Sequence, residues 1–270
     1  MPVKKAPAPY GKGVKAQISF LLNIYNRMVY RFADWHTFPC ERLMTYYWQM
    51  APEIKGKSSV IPHIALRKFH LQEEQSKDVF SLCHTGSVAQ RDLSVFFEGL
   101  KRFIEVLKPS KKIHVIFIGD PVDEIRAKVS TAGLCDIVQV EAPKTYEETQ
   151  LKAAHSSVLV VLEAQCEEGI FFPSKFVDFV QTGRPLLAIS PKQGTLSDIL
   201  KQHGGGIAVD NRSPEEVCNA LNILYESWES DPLMNDYRSN NLFNLFCADF
   251  VLKKFNEIFR ALRLKGSVGQ

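Results

Sequence analysis

The residues best placed to do chemistry lie in one stretch. Glu167-Glu168-Gly169 is followed by Pro173-Ser174-Lys175, then Asp178, then Gly183-Arg184-Pro185. Pro173 suits the first turn of a helix and Gly183 suits its end. A lysine at a helix start adds a point charge to free N–H groups, and together these suit a phosphate. A second cation, Arg91, stands in Thr85-Gly86-Ser87-Val88-Ala89-Gln90-Arg91-Asp92. Its forked guanidinium can meet phosphate oxygens in a fixed geometry. Each residue also has a plainer reading. Arg91 can be a surface arginine near a helix cap, Lys175 and Asp178 solvated helix residues, and Glu168 a loop acid. His84 and His155 read equally well as satisfied core or rim histidines.

These groups need strands and helices to bring them together. The apolar runs Val158–Leu162 and Leu186–Ile189 flank the stretch and read as buried strands. Phe176, Phe179 and Val180 fall on one face of the helix between them. From Val79 onward the pattern alternates strand and helix. Strands are expected at 79–84, 113–118, 136–140, 157–162, 186–190 and 206–209, and helices at 92–107, 122–132, 145–154, 195–202 and 214–228. Such alternation with short loops predicts a parallel sheet covered on both faces, with its ligand at the carboxyl ends of the strands. Gly204-Gly205-Gly206 lacks the context of a phosphate loop and reads as a turn into the last strand.

Before this region, residues 14–33 carry Ile18, Leu21, Leu22, Tyr25, Met28, Val29 and Phe32 at helical spacing. The expected helix buries that face in a core; a basic amphipathic helix on an anionic membrane is the alternative. A second helix is expected over Glu41–Met50 and a strand near 57–64. A single long helix with a broad apolar surface is expected over 241–263, and on its residues alone it packs on its own sheet.

Composition narrows the classes. The chain has 270 residues, 45% hydrophobic and 23% charged, enough for a sizeable core. Net charge is +3 without a concentrated basic stripe, which argues against nucleic acid as a partner. The six scattered cysteines form no C-x-x-C pair and read as reduced thiols of a cytoplasmic protein. No metal-ligand spacing, Asp-x-Asp pair or G-x-S-x-G elbow occurs.

Pro173-Ser174-Lys175, an apolar residue, the acid at 178, the aromatic at 179 and the closing Gly183-Arg184-Pro185 together resemble the donor-binding signature of GT-B glycosyltransferases. The similarity is greatest to the large retaining, family-4-like group that includes bacterial polysaccharide and lipopolysaccharide enzymes. It covers about residues 30–262, with Ala33-Asp34 and Ile61-Pro62-His63-Ile64 resembling the end of that family's first domain. His63-Ile64 replaces the usual Asn-Gly, and Asp178 replaces a longer Glu.

The resemblance implies an α/β, Rossmann-like domain forming the C-terminal half of a GT-B fold, plus an N-terminal helical remnant. It divides the chain into a leader (1–13), a remnant of the acceptor domain (14–64), a linker (65–78), the nucleotide-sugar domain (79–240) and a crossing helix with tail (241–270). Most of a first domain is then missing before Met1. It places Glu168 by the donor sugar, Asp178 at the ribose hydroxyls, and Gly86, Arg91, Gly169, Ser174 and Lys175 around the diphosphate. Val140 and Glu141 meet the base through backbone. Glu168, Arg91 and Lys175 are the implied catalytic set. The implied reaction is metal-independent transfer, with retention, from a nucleotide sugar (a substrate, with no cofactor) to a glycan or lipid-linked acceptor, in the cytoplasm or at the inner membrane face. Two alternatives stand beside it: a nucleotide-sugar epimerase, and a non-catalytic subunit that pairs with a complementary chain.

Overall fold

The structure, a computed structural model, describes residues 16–69 and 77–267, with side chains from 21 to 264. The expected leader 1–13 and residues 70–76 of the expected linker lie outside the described residues.

Six strands form one parallel sheet: β3 (Val79–Thr85), β4 (Lys112–Ile118), β5 (Val138–Glu141), β6 (Val158–Leu162), β7 (Leu186–Ser190) and β8 (Gly206–Asp210). Their spatial order is β5-β4-β3-β6-β7-β8. The order reverses between β3 and β6, and a crevice opens at such a reversal in a parallel sheet. Side chains alternate faces along a strand. Val158, Val160 and Leu162 of β6 therefore join one core cluster with Phe80, Phe96 and Trp228. Leu159 and Val161 join the other with Phe176, Phe179 and Phe246. Helices α3 (Ser94–Leu107) and α8 (Pro214–Ser230) supply the first layer. Helices α6 (Ser174–Val180) and α7 (Thr195–His203) supply the second. Helices α4 (Val122–Ala132) and α5 (Tyr146–His155) complete the alternation. This is the α/β, Rossmann-like arrangement expected from the pattern.

The N-terminal part comprises α1 (Ala16–Phe32), β1 (His36–Phe38), α2 (Glu41–Met50), a 3₁₀ turn over Pro52–Lys57 and β2 (Ser58–Val60). β1 and β2 pair in parallel as a separate two-stranded sheet over a small cluster of Tyr30, Phe38, Ala51 and Ile54. The strand expected near 57–64 is confined to 58–60, because the preceding residues close a 3₁₀ turn.

Two expectations are corrected. The apolar face of α1 is not in a core: Leu21, Tyr25, Met28 and Phe32 are exposed, and Tyr30 alone among the helix's described side chains is buried. The single helix over 241–263 is two, α9 (Asn240–Phe246) and α10 (Ala248–Ser267). Cys247 between them is extended and bridges to Ala65, whose N–H donates to Phe246 O at 2.7 Å. Helix α9 buries Leu242 and Phe246 against α6, whereas α10 leaves Leu252 and Phe259 exposed.

Candidate functional site

The loop after β3 and the start of α6 meet at the carboxyl edge of the sheet. Gly86 has φ +100, and a Cβ there would lie 2.9 Å from Lys175 Cε. Glycine thus lets the lysine lie across the loop, and two motifs distant in sequence become one site. Arg91 donates from Nε to Leu162 O (2.7 Å) and from Nη1 to Ser87 O (2.9 Å) and Ala89 O (3.1 Å). These bonds pin the β3 loop to the end of β6 and fix the guanidinium there. Its Nη2 has no partner among the described residues and remains a donor.

His84, in β3, shares Nδ1 with Val160 O at 2.9 Å. Because a carbonyl only accepts, Nδ1 carries the proton. Burial, reinforced by the charges of Arg91 and Lys175, pushes the imidazole down to about 4, so it is neutral at physiological pH. The fixed cations of this edge are therefore Arg91 and Lys175.

The expected acids occupy different settings. Glu168 accepts from Arg42 Nη1 at 2.5 Å, and Arg42 also grips Asp198 through Nε (2.5 Å) and Nη2 (3.0 Å). Gly169 is stitched to the turn before α7: its N–H donates to Gln193 O and its carbonyl accepts from Thr195 N–H, both at 2.9 Å. Asp178 lies 3.6 Å from Lys175 Nζ and accepts from the Tyr146 hydroxyl at 3.2 Å. Gln181 Nε2 donates to the same hydroxyl at 2.7 Å. Glu141 accepts from Lys152 (2.7 Å) and pairs with Lys144 (3.3 Å), which hold its carboxyl below the usual range. Its side chain is committed to lysines, and its carbonyl accepts from Gly119 N–H at 3.1 Å. Ser174 is exposed at the first turn of α6, but that helix has only seven residues. The charge at this edge comes from side chains more than from a helix dipole.

A further pattern runs along the edge. Buried polar atoms without a hydrogen-bond partner among the described residues include His84 Nε2 and Thr85 Oγ1 on β3, Glu163 Oε2 after β6, Ser190 Oγ on β7 and Asn211 Oδ1 after β8. Leaving such a group unpaired costs roughly 1–3 kcal/mol, and here the cost recurs at four strand ends. These orphans, donors and acceptors alike, stand at one edge beside two cations, which makes this edge the candidate site for a polar ligand. Among the described residues no group of three or more His, Cys, Asp and Glu could hold a metal ion.

Arg42, Tyr146 and Glu163 carry no motif. Glu163 alone leaves a trace in the sequence, an acid directly after a fully apolar strand. Arg42 also lines a cavity of about 520 Å³ between α2, α7 and α10, with Phe172, Asp198, Phe250 and Lys254.

A six-stranded parallel sheet with helices on both faces, and cations at its carboxyl edge, defines a Rossmann-like domain. Solved structures with this fold resemble the chain, although no protein-family model and no curated protein matches its sequence. A glycosyltransferase from Rickettsia africae ESF-5 aligns at TM-score 0.68 and 11% identity, over 89% of this chain and 67% of that one. Anabaena Alr3699/HepE in complex with UDP-glucose aligns at 0.64 and 15% identity, over 92% and 68%. The pneumococcal O-GlcNAc transferase GtfA, in complex with UDP and GlcNAc, aligns at 0.61 and 13% identity, over 89% and 48%. The chain therefore has the Rossmann-like fold found in GT-B glycosyltransferase structures, and it spans between about half and two thirds of the length of these three.

Proposed function

We propose that this chain binds a nucleotide-diphosphate sugar at the carboxyl ends of β3 and β6 and serves the transfer of the sugar to a glycan or lipid-linked acceptor. The observation that carries the reading is Lys175 lying over Gly86, which adds a second cation to the loop that Arg91 anchors. Arg91 Nη2 and Lys175 Nζ hold the diphosphate and stabilise the charge that develops on it as the sugar leaves. Glu168 meets the sugar hydroxyls once donor competes with Arg42 for its carboxylate. Asp178, shared with Tyr146, receives the ribose, and the backbone at Val140 and Glu141 receives the base. The fixed cations take the place of a metal, and transfer proceeds with retention. The acceptor enters beside Arg42, where the cavity of about 520 Å³ opens.

The matched structures are longer than this chain, and the two-stranded β1–β2 sheet is small. Both features support an acceptor half completed by further polypeptide, from the same or a complementary chain. The reaction then belongs to the cytoplasm, at the membrane face where the acceptor is lipid-linked.

Calorimetry with UDP-glucose, GDP-mannose and ADP-glucose tests the donor site. One of them should bind, and Lys175→Ala should weaken it by about 10- to 150-fold, the loss of a charge-assisted hydrogen bond. Among the described residues Lys175 makes no structural bond beyond its pair with Asp178, so unfolding temperature should hardly move. The same titration in EDTA should give the same affinity. Equal affinity for wild type and Lys175→Ala, or binding restored only by manganese or magnesium, contradicts the reading.

A further inference from the structure

Glu163 is an acid that the proposed site has not used. Its main chain is held from two sides. Its N–H donates to Ile189 O of β7 at 3.0 Å, and its carbonyl accepts from Asn211 Nδ2 at 3.3 Å. Asn211 Nδ2 also reaches Ala164 O at 3.1 Å, and Gln165 Nε2 donates to Asn211 O at 3.0 Å. The backbone is thereby fixed at the strand end next to Leu162, whose carbonyl holds Arg91. Its Oε2 is buried and has no partner among the described residues.

An ionised carboxylate in this position works against the ligand the edge is built for. It repels a diphosphate, and it competes with that diphosphate for Arg91. A protonated carboxyl does neither and supplies an O–H donor. We propose, on the basis of the nucleotide-sugar reading, that Glu163 carries a proton in the resting protein and donates it as a hydrogen bond to the donor's diphosphate, so that donor binding weakens as the medium turns alkaline.

The surroundings keep the proton on Glu163. Burial pushes its carboxyl up to about 8, and Arg91 in the β3 loop pulls it back only in part. Two thiols also face it: Cys166 in its own loop and Cys40 at the start of α2. Burial raises both thiols, so they add no negative charge near neutrality. Arg212, the next cation along this loop cluster, acts on Cys166. The sign follows from linkage. If only the protonated form receives donor, affinity is level below about 7 and falls as pH rises through about 8.

The experiment titrates the full chain with whichever of UDP-glucose, GDP-mannose and ADP-glucose binds best, from pH 6.5 to 8.5. A sugar nucleotide has no free terminal phosphate to ionise in that range. Affinity should fall about fourfold across it. At pH 8.5, titrations in buffers of different ionisation enthalpy should show uptake of most of one proton on binding. Glu163→Gln keeps an N–H donor and has nothing to titrate, so the slope and the proton uptake should both vanish. The wild-type proton uptake stands as evidence even where the variant folds poorly. A level wild-type profile without proton uptake, or a slope retained in Glu163→Gln, overturns the inference and leaves the donor site standing. Absence of binding for all three sugar nucleotides at every pH overturns both.

Discussion

At the residue scale, burial decides which groups at the strand ends carry charge. His84 is the clearest case for folding stability, because its proton balance differs between the folded and unfolded chain. Folded, its imidazole lies at about 4; unfolded, it returns to about 6.5. Between these values the unfolded chain binds a proton that the native one does not, so stability rises with pH from about 4 to 6.5 and is lost as pH falls through that window. The ceiling is about 3 kcal/mol, since one pKa unit is worth about 1.4 kcal/mol. His84→Asn keeps a donor for the Val160 carbonyl but has nothing to protonate. Urea unfolding at pH 4.5, 5.5 and 6.5 should show a shallower pH dependence for the variant, whatever its stability at neutral pH. An unchanged slope would mean that His84 is not the group that titrates. Its neutrality also serves the site, since a charged imidazole would add a third positive charge beside Arg91 and Lys175.

At the scale of elements, the crossing of Lys175 over the β3 loop is the join that makes one site of two motifs. Gly86→Ala tests it. The φ of +100 is strained for any L side chain, and the new methyl meets Lys175 Cε at 2.9 Å. Thermal unfolding should report a loss of roughly 1–2 kcal/mol, and donor affinity should fall because the lysine must move aside. Full affinity in a destabilised variant would show that Lys175 does not need this path. The cations themselves were legible in the sequence, since each stands where a strand gives way to a helix. The strands were legible for a similar reason: β6 and the first four residues of β7 are apolar runs, and both strands are buried along their whole length. The break at Cys247 was not, because Leu242, Leu245, Phe246 and Phe250 keep helical spacing across it. It is imposed by Ala65, which takes the Phe246 carbonyl away from the helix. The grip of Arg42 on Glu168 and Asp198 was hidden for the same reason, since no local pattern records a partner more than a hundred residues away.

At the scale of the molecule, the sheet domain and the N-terminal part differ in how much they bury. Two large clusters hold the six-stranded sheet, whereas Tyr30, Phe38, Ala51 and Ile54 are the buried centre of the N-terminal cluster. Helix α1 then presents Leu21, Tyr25, Met28 and Phe32 along one exposed stripe. Periodicity could show that such a stripe exists, but it could not show what covers it. A continuous apolar stripe favours association, in contrast to the scattered apolar residues normal on a monomer. Charge opposes it: residues 1–33 hold six Lys and Arg and no Asp or Glu, so two copies of this region repel. Salt shortens that repulsion and leaves apolar burial intact. The chain should therefore self-associate in a concentration-dependent way, and more strongly at 0.5 M than at 0.05 M salt, conditions where the screening length falls from about 14 Å to about 4 Å. Sedimentation velocity reads this directly. Replacing Leu21, Tyr25 and Phe32 together by Ser should give a monomer at both salt concentrations with an unchanged circular dichroism spectrum. A wild-type chain that sediments as a monomer at high salt would show that the stripe does not drive self-association. An associated triple variant would move the contact elsewhere, with the exposed Leu252 and Phe259 of α10 as the next surface to test.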